Sequence, residues 1–370
     1  MSDRLLSALA DSPEWLLHHL DFSKKEAEFV AMNRRSYELS SFMDERLVRA
    51  SSKRELVRWS KLSAEVPIKS RPRLCFMFHS AYCCSTLFAK CVDWAGKILS
   101  YREPQILLEI ALQKPGLPNS HYQDKSQWKE DLKTVIALLS KSFSPSELVL
   151  IKPCDTSNIA LREILEVSPD STSGLFLYSD LKSFLCSAIK SSSRRQWTRN
   201  CLNYCTFAFA RETGVLKEVD TATLSDAQAA AYLWLWQMYH FVQLSQSELA
   251  PRLRSLSCDL FLQDPLKVLK ALSPFFQWPF SSEELEKISQ SREFSIYAKT
   301  IPRKGPLSTF LQHSGLPLFV PQAYNKDSRE TLLTQIAQEF APEVEEGLQW
   351  AEMQIQKQAL PQDLPLPLIS

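Results

Sequence analysis

Leu74-Cys75-Phe76-Met77-Phe78-His79-Ser80-Ala81-Tyr82-Cys83-Cys84-Ser85-Thr86-Leu87 is the stretch whose reading decides the fold. Its first five residues are continuously apolar, the pattern of a strand buried on both faces of a parallel sheet. A polar loop follows at once and runs into a helical segment expected over Thr86–Ala95. Two further runs, Leu148-Val149-Leu150-Ile151 and Gly174-Leu175-Phe176-Leu177-Tyr178, repeat the strand signal. Helical stretches are expected between and after them, at Gln105–Leu112, Lys125–Ser140 and Ser157–Val167. Strands alternating with helices predict an α/β fold on a mainly parallel sheet with right-handed crossovers.

Outward from this core the texture changes. Residues 1–70 read as a helical region. Asp11-Ser12-Pro13-Glu14 resembles a helix start, and further segments run over Ser23–Met43 and Asp44–Leu62. Arg71-Pro72-Arg73 marks a boundary, because the residue before a proline leaves the helical basin. The core then spans 71–320, and 321–370 reads as a C-terminal helix over Asp327–Lys357 followed by a proline-rich, mobile tail from Leu360. From Asp180 onward the chain is mostly helical, including Ser225–Gln246 and Pro265–Phe276.

Composition narrows the function classes. Of the 370 residues, 45% are hydrophobic and 23% charged, which excludes a disordered or fibrous chain. Forty-three basic against forty-two acidic residues leave a net charge of +1, so no global field draws in nucleic acid or an anionic membrane. Any anion site is local. The seven glycines never lie close together, and no GxxxxGK[ST] motif is present, so the usual glycine-rich phosphate loop is excluded. Nine cysteines form no CxxC pair, and Cys201 and Cys205 lack nearby histidines to complete a zinc set. Free thiols in a reducing cytoplasm and no metal are therefore expected. No signal peptide is visible at the N-terminus. Ala227–Leu244 carries Gln228, Gln237 and His240 and reads as a buried helix, not a membrane span. Oligomeric state leaves no trace in the sequence.

In an open parallel sheet, ligands bind beyond the carboxyl ends of the strands. The three strands end in His79-Ser80-Ala81-Tyr82, in Lys152-Pro153-Cys154-Asp155 and in Ser179-Asp180-Leu181-Lys182, all polar and expected side by side. Ser85 and Thr86, entering a helix, either meet an anion among free backbone amides or simply cap the helix. Lys152 ends an apolar strand, where an ammonium needs an anion or a carboxylate. Glu103 precedes Pro104 and is expected to be extended at the crevice mouth, as a base or as a solvated partner of Arg102. His79 reads as base, anion donor or hydrogen-bonded structural residue. Cys83 and Cys84 are either activated by facing amides or packed and inert. Arg194, Arg195 and Arg199 around Trp197 form a phosphate clamp or a solvated helix face. The aromatic run Tyr232–Trp236 is core or the wall of an acceptor pocket.

The order of these segments resembles the sulfotransferase branch of the P-loop fold, enzymes that use 3′-phosphoadenosine-5′-phosphosulfate. The resemblance covers residues 71 to 310 and implies a three-layer α/β scaffold. It matches Ser85 and Thr86 to the phosphosulfate-binding hydroxyls, with Tyr82 and Cys84 standing at the family's basic and glycine positions and Cys83 between them. Tyr101-Arg102-Glu103-Pro104 is similar to the acidic segment of tyrosylprotein-type members, which makes Glu103 the general base. Lys152 matches the lysine that steadies the leaving phosphate. Ser187 sits at the serine that holds the 3′-phosphate, whereas the partnering arginine position is Ser179. The resemblance leaves Lys182, Lys190, Arg194 or Arg195 to supply that charge. Leu262-Gln263-Asp264-Pro265 resembles a strand-to-helix segment, and Arg303-Lys304-Gly305 echoes a cofactor motif.

Three functions follow. The first is sulfuryl transfer from the nucleotide to a hydroxyl-bearing acceptor of unspecified class. The second is a non-catalytic descendant whose crevice binds another ligand or a partner. The third is a nucleotide hydrolase or kinase recruiting Asp180 for magnesium.

Overall fold

The computed structural model describes residues 3–48, 53–66, 73–213, 216, 218–291, 296–297, 322–323, 326–358 and 364–369. Its N-terminal region departs from the all-helical expectation. After a helix at Asp3–Asp11 (α1), the segments Trp15–Asp21 (β1), Glu26–Ala31 (β2) and Arg54–Arg58 (β3) form an antiparallel sheet in the order β1-β2-β3. Asp11-Ser12-Pro13 thus closes a helix instead of opening one. The cause is a turn that needs no glycine. Asp21 Oδ1 accepts from the amides of Ser23 and Lys24, and Lys25 adopts φ 56°, so the chain reverses within a few residues. The register also shifts between Leu17 and His19, which breaks the alternation a strand would show in sequence. Among the described residues of the rest of this region, only Arg34–Leu39 (α2), Glu45–Val48 (α3) and Trp59–Glu65 (α4) are helical.

The central sheet contains the three expected strands, Leu74–His79 (β4), Leu148–Lys152 (β6) and Ser173–Tyr178 (β7), with Ile98–Arg102 (β5) and Leu253–Ser257 (β8) added. All five are parallel, in the order β5-β6-β4-β7-β8. Alternate residues enter two separate apolar clusters. Phe76, Phe78, Tyr101, Val149, Ile151 and Phe176 lie in one, whereas Cys75, Met77, Leu148, Leu150, Leu175 and Leu177 lie in the other. Burial of both faces is what makes the strands read as unbroken apolar runs.

Helices follow the strands in turn. Ser85–Cys91 (α5) follows β4, and Gln105–Leu112 (α6) and Lys125–Leu139 (α7) follow β5. After β6 come a 3-10 helix at Asp155–Ala160 and Leu161–Val167 (α8). Leu181–Ile189 (α9), Ser192–Thr213 (α10) and Asp226–Ser245 (α11) follow β7. Cys258–Gln263 (α12), Pro265–Phe276 (α13) and Ser282–Ser289 (α14) follow β8. Asp264 caps α13 by accepting from the Lys267 amide at 3.0 Å, so Asp-Pro opens a helix as expected, but after a helix and not after a strand. The final helix is two, Lys326–Glu339 (α15) and Ala341–Gln358 (α16).

Residues 364–369 are not the free tail expected of a proline-rich end. The Ser255 amide donates to Leu366 O and the Leu368 amide donates to Ser255 O, each at 2.8 Å, while Leu368 and Ile369 pack on the second cluster. This pairing covers the outer edge of β8, whose amides and carbonyls need partners. Among the described residues no helix is long and apolar enough to cross a membrane.

Candidate functional site

The carboxyl ends of β5, β6, β4 and β7 lie side by side, and the register sets Arg102 beside Lys152 and His79 beside Leu177. Three expected site residues meet there. The fully buried Lys152 ammonium donates to Glu103 Oε1, and His79 Nε2 stands 3.8 Å from the same oxygen. Of the two alternatives for Lys152, a carboxylate is what it meets. The Ala81 amide donates to His79 Nδ1 at 3.1 Å, so the ring proton sits on Nε2, which donates to Pro153 O at 2.9 Å. His79 is thereby bound to backbone on both sides of its ring. Glu103 is not extended. It adopts φ 52°, a left-handed conformation costing on the order of 1–3 kcal/mol for a residue with a side chain. The reason is its amide, which donates to Lys152 O at 2.6 Å and overrides the preference set by Pro104.

Arg102 is not the partner of Glu103. It is fully buried, donates to Ser40 O and Tyr37 O, and pairs with Asp93 at 2.7 Å, where Arg34 also closes at 2.7 Å. That pairing ties the N-terminal region to β5. The Met43 amide donates to Arg102 O at 2.7 Å and the Gln105 amide to Met43 O at 2.9 Å, which brings the Phe42 ring to 6.0 Å from the Lys152 ammonium.

The loop after β4 is left-handed at Ala81 (φ 66°), Tyr82 (52°) and Cys84 (60°). Its shape is held from behind. Asn158 Nδ2 donates to His79 O at 3.0 Å, and Gln237 Nε2 donates to Ser80 O at 3.2 Å. Cys84 occupies the N-cap position of α5 with no side-chain capping bond, so Ser85 and Thr86 are not caps but the first helical residues, both buried. The amides of that first turn have no acceptor within the helix. Burial raises the Cys83 thiol to about 11, which matches packed and inert sulfur.

Tyr82 packs edge-on against Phe184 and Trp197, and the Arg194 guanidinium lies 4.7 Å over its ring. Arg194 also donates to Ser187 O at 2.7 Å, so Tyr82, Ser187 and Arg194 come together. Arg195 turns to Asp226 and to Glu343, the latter at 2.7 Å, and Arg199 turns to Asp226 as well. Lys182 is exposed on the first turn of α9. Ser179 is buried, with its carbonyl accepting from Trp234 Nε1 at 2.9 Å. Arg303 and Lys304 lie outside the described residues.

Asp155 is the residue that the sequence reading passed over. It opens the 3-10 helix after β6, and its Oδ2 has no hydrogen-bond partner. Burial and then the Glu103 charge push its carboxyl up to about 7, against a partial pull from Lys152. The same surroundings raise the Cys154 thiol to about 12. In sequence, Asp-Thr-Ser-Asn reads as an ordinary helix start. The available signal was Lys152 itself, whose need for an anion pointed at any acid nearby. Phe42 had no local signal, since its contact spans the chain.

No protein-family model and no curated protein matches the chain. Among solved structures it is similar to a sulfotransferase domain from the curacin biosynthetic pathway. That likeness has 14% identity and a TM-score of 0.37, and covers 73% of this chain and 98% of that domain. It is also similar to the sulfotransferase domain of the Synechococcus PCC 7002 olefin synthase, at 17% identity and a TM-score of 0.36 over 74% of this chain and 97% of that one. A sulfotransferase from Alicyclobacillus acidocaldarius gives 13% identity and a TM-score of 0.33, over 77% of this chain and 96% of its own. Likeness of this degree carries no functional argument, and function has to be read from the crevice.

Proposed function

We propose that the crevice transfers a sulfuryl group from 3′-phosphoadenosine-5′-phosphosulfate to an acceptor hydroxyl, on a three-layer scaffold of the P-loop kind. The observation that carries this is the contact between a fully buried ammonium, Lys152, and a partly exposed carboxylate, Glu103, beside a left-handed loop that leads into Ser85 and Thr86. The residues present suit the nucleotide. Successive amides of a left-handed loop converge into an anion-binding concavity. Ser85, Thr86 and the loop amides hold the 5′-phosphosulfate, while Ser187 and Arg194 hold the 3′-phosphate. Lys152 neutralises the departing phosphate, and Glu103 takes the acceptor's proton. Such chemistry is largely positioning and charge neutralisation.

Glu103→Gln tests the assignment. Transfer to a panel of sugar, phenol and peptide hydroxyls is expected to fall by about 10²–10⁴-fold, with nucleotide affinity retained. A second reading, binding without transfer, draws on Tyr82, whose ring packs against Phe184, Trp197 and Arg194 where the family carries a basic residue. It wins if the nucleotide binds but no acceptor distinguishes Glu103→Gln from the parent.

A further inference from the structure

The crevice holds one more carboxylate than this chemistry uses. Asp155 is 7% exposed and its Oδ2 meets no hydrogen-bond partner, while Lys152 closes on Glu103 instead. A buried carboxylate with an unpaired oxygen is costly as an anion. One ammonium does not neutralise two neighbouring carboxylates, and like charges that share a site retain a proton. We propose that Asp155 is a second acid–base group of the crevice: together with Glu103 it holds one exchangeable proton beside the Lys152 ammonium, and by keeping that proton it leaves Glu103 as the anionic base that takes the acceptor's proton. That base-selecting role rests on the sulfuryl-transfer reading; the presence of the proton does not.

Geometry decides which carboxyl is neutral. The ammonium contact keeps the negative charge on Glu103, and Asp155, more deeply buried, keeps the proton, in line with a carboxyl raised to about 7. The groups around it agree. Cys154, which precedes it in the chain, and Cys201 and Cys205 from α10 are thiols held protonated by burial. From β4, His79 is committed to Pro153 O and the Ala81 amide. Beyond the other end of the 3-10 helix, Lys114 and Glu163 pair with each other at 3.1 Å, and burial keeps His240 neutral, its pKa lowered to about 4. In the transfer, the acceptor O–H bond breaks and its proton passes to Glu103, the anionic member of the pair, while Asp155 keeps its own. The acceptor oxygen forms the new bond to sulfur, and the electron pair of the broken sulfur–oxygen bond leaves with the phosphate.

Infrared difference spectroscopy of the ligand-free full chain, titrated from pH 5 to pH 9, reads the C=O stretch of a protonated carboxyl directly. The expected result is a band that titrates near neutrality and vanishes in Asp155→Asn. In Glu103→Gln its midpoint moves to lower pH, because a like charge is removed and Lys152 is released to Asp155. A spectrum without such a band, or a band that survives Asp155→Asn, overturns the proposal. Should Asp155→Asn fail to fold, an unmoved midpoint in Glu103→Gln overturns it equally. The expected band in a chain that gives no calorimetric heat with 3′-phosphoadenosine-5′-phosphate upholds the shared proton and overturns the base-selecting role.

Discussion

Asp155 makes the stability of the whole chain depend on pH in a direction opposite to most carboxylates. Its carboxyl stands near 7 in the folded protein and returns to about 4 on unfolding. The folded state therefore binds the extra proton in that window. The stability gained is complete below about pH 4 and is lost as pH rises through 7. Asp155→Asn lacks this loss, so its stability relative to the parent is expected to rise by roughly 2–3 kcal/mol between pH 5 and pH 8. Urea denaturation at both pH values checks it; an unchanged difference would mean an ordinary carboxyl. At this scale the sequence was informative where a residue's place on a strand tip sufficed, as for Glu103, Lys152 and His79. It was silent where the partner decides the role. Arg102 beside Glu103 suggested a pair, but Asp93 and two carbonyls claim the guanidinium.

Elements divide the same way. The runs at β4, β6 and β7 and the helices Gln105–Leu112 and Pro265–Phe276 could be read directly, because both-face burial, a largely apolar composition and, at Pro265–Phe276, the Asp264 cap leave a local imprint. β5 could not: Ser100 and Arg102 interrupt its apolar run, and both are buried only because distant groups surround them. β8 alternates Leu253, Arg254, Ser255 and Leu256 as a strand near the sheet edge, and that pattern is too short to separate from a loop. The C-terminus of α13 yields a test of local backbone physics. Gln277 sits there exposed at φ 52° and ψ 46°, a conformation that glycine adopts freely. Gln277→Gly is expected to stabilise the chain by about 0.5–1 kcal/mol in thermal melts. Packing between helices supplies the converse. A Cβ at Gly347 of α16 would stand 3.0 Å from both Leu185 methyls and 3.2 Å from Ala227 O. Gly347→Ala is expected to destabilise by about 1–3 kcal/mol in the same melts, since neither a helix backbone nor a packed leucine yields easily.

For the molecule as a whole, the chain's two ends complete the central α/β unit. The N-terminal region reaches the crevice through Phe42 and Met43, and residues 364–369 close the β8 edge. Ending the chain after Gln358 strips that edge of two backbone hydrogen bonds and exposes Leu368 and Ile369; a loss of about 1–3 kcal/mol and a greater tendency to aggregate are expected, measured by denaturation and light scattering. The central claim concerns the crevice between these ends: that its loop amides and the Lys152 ammonium accept a doubly phosphorylated adenosine. Calorimetric titration of 3′-phosphoadenosine-5′-phosphate into the full chain tests it most directly. Saturable heat in the parent, with affinity at least about tenfold weaker in Lys152→Met, is the predicted result; no heat at millimolar nucleotide, or equal affinity in the variant, would contradict it.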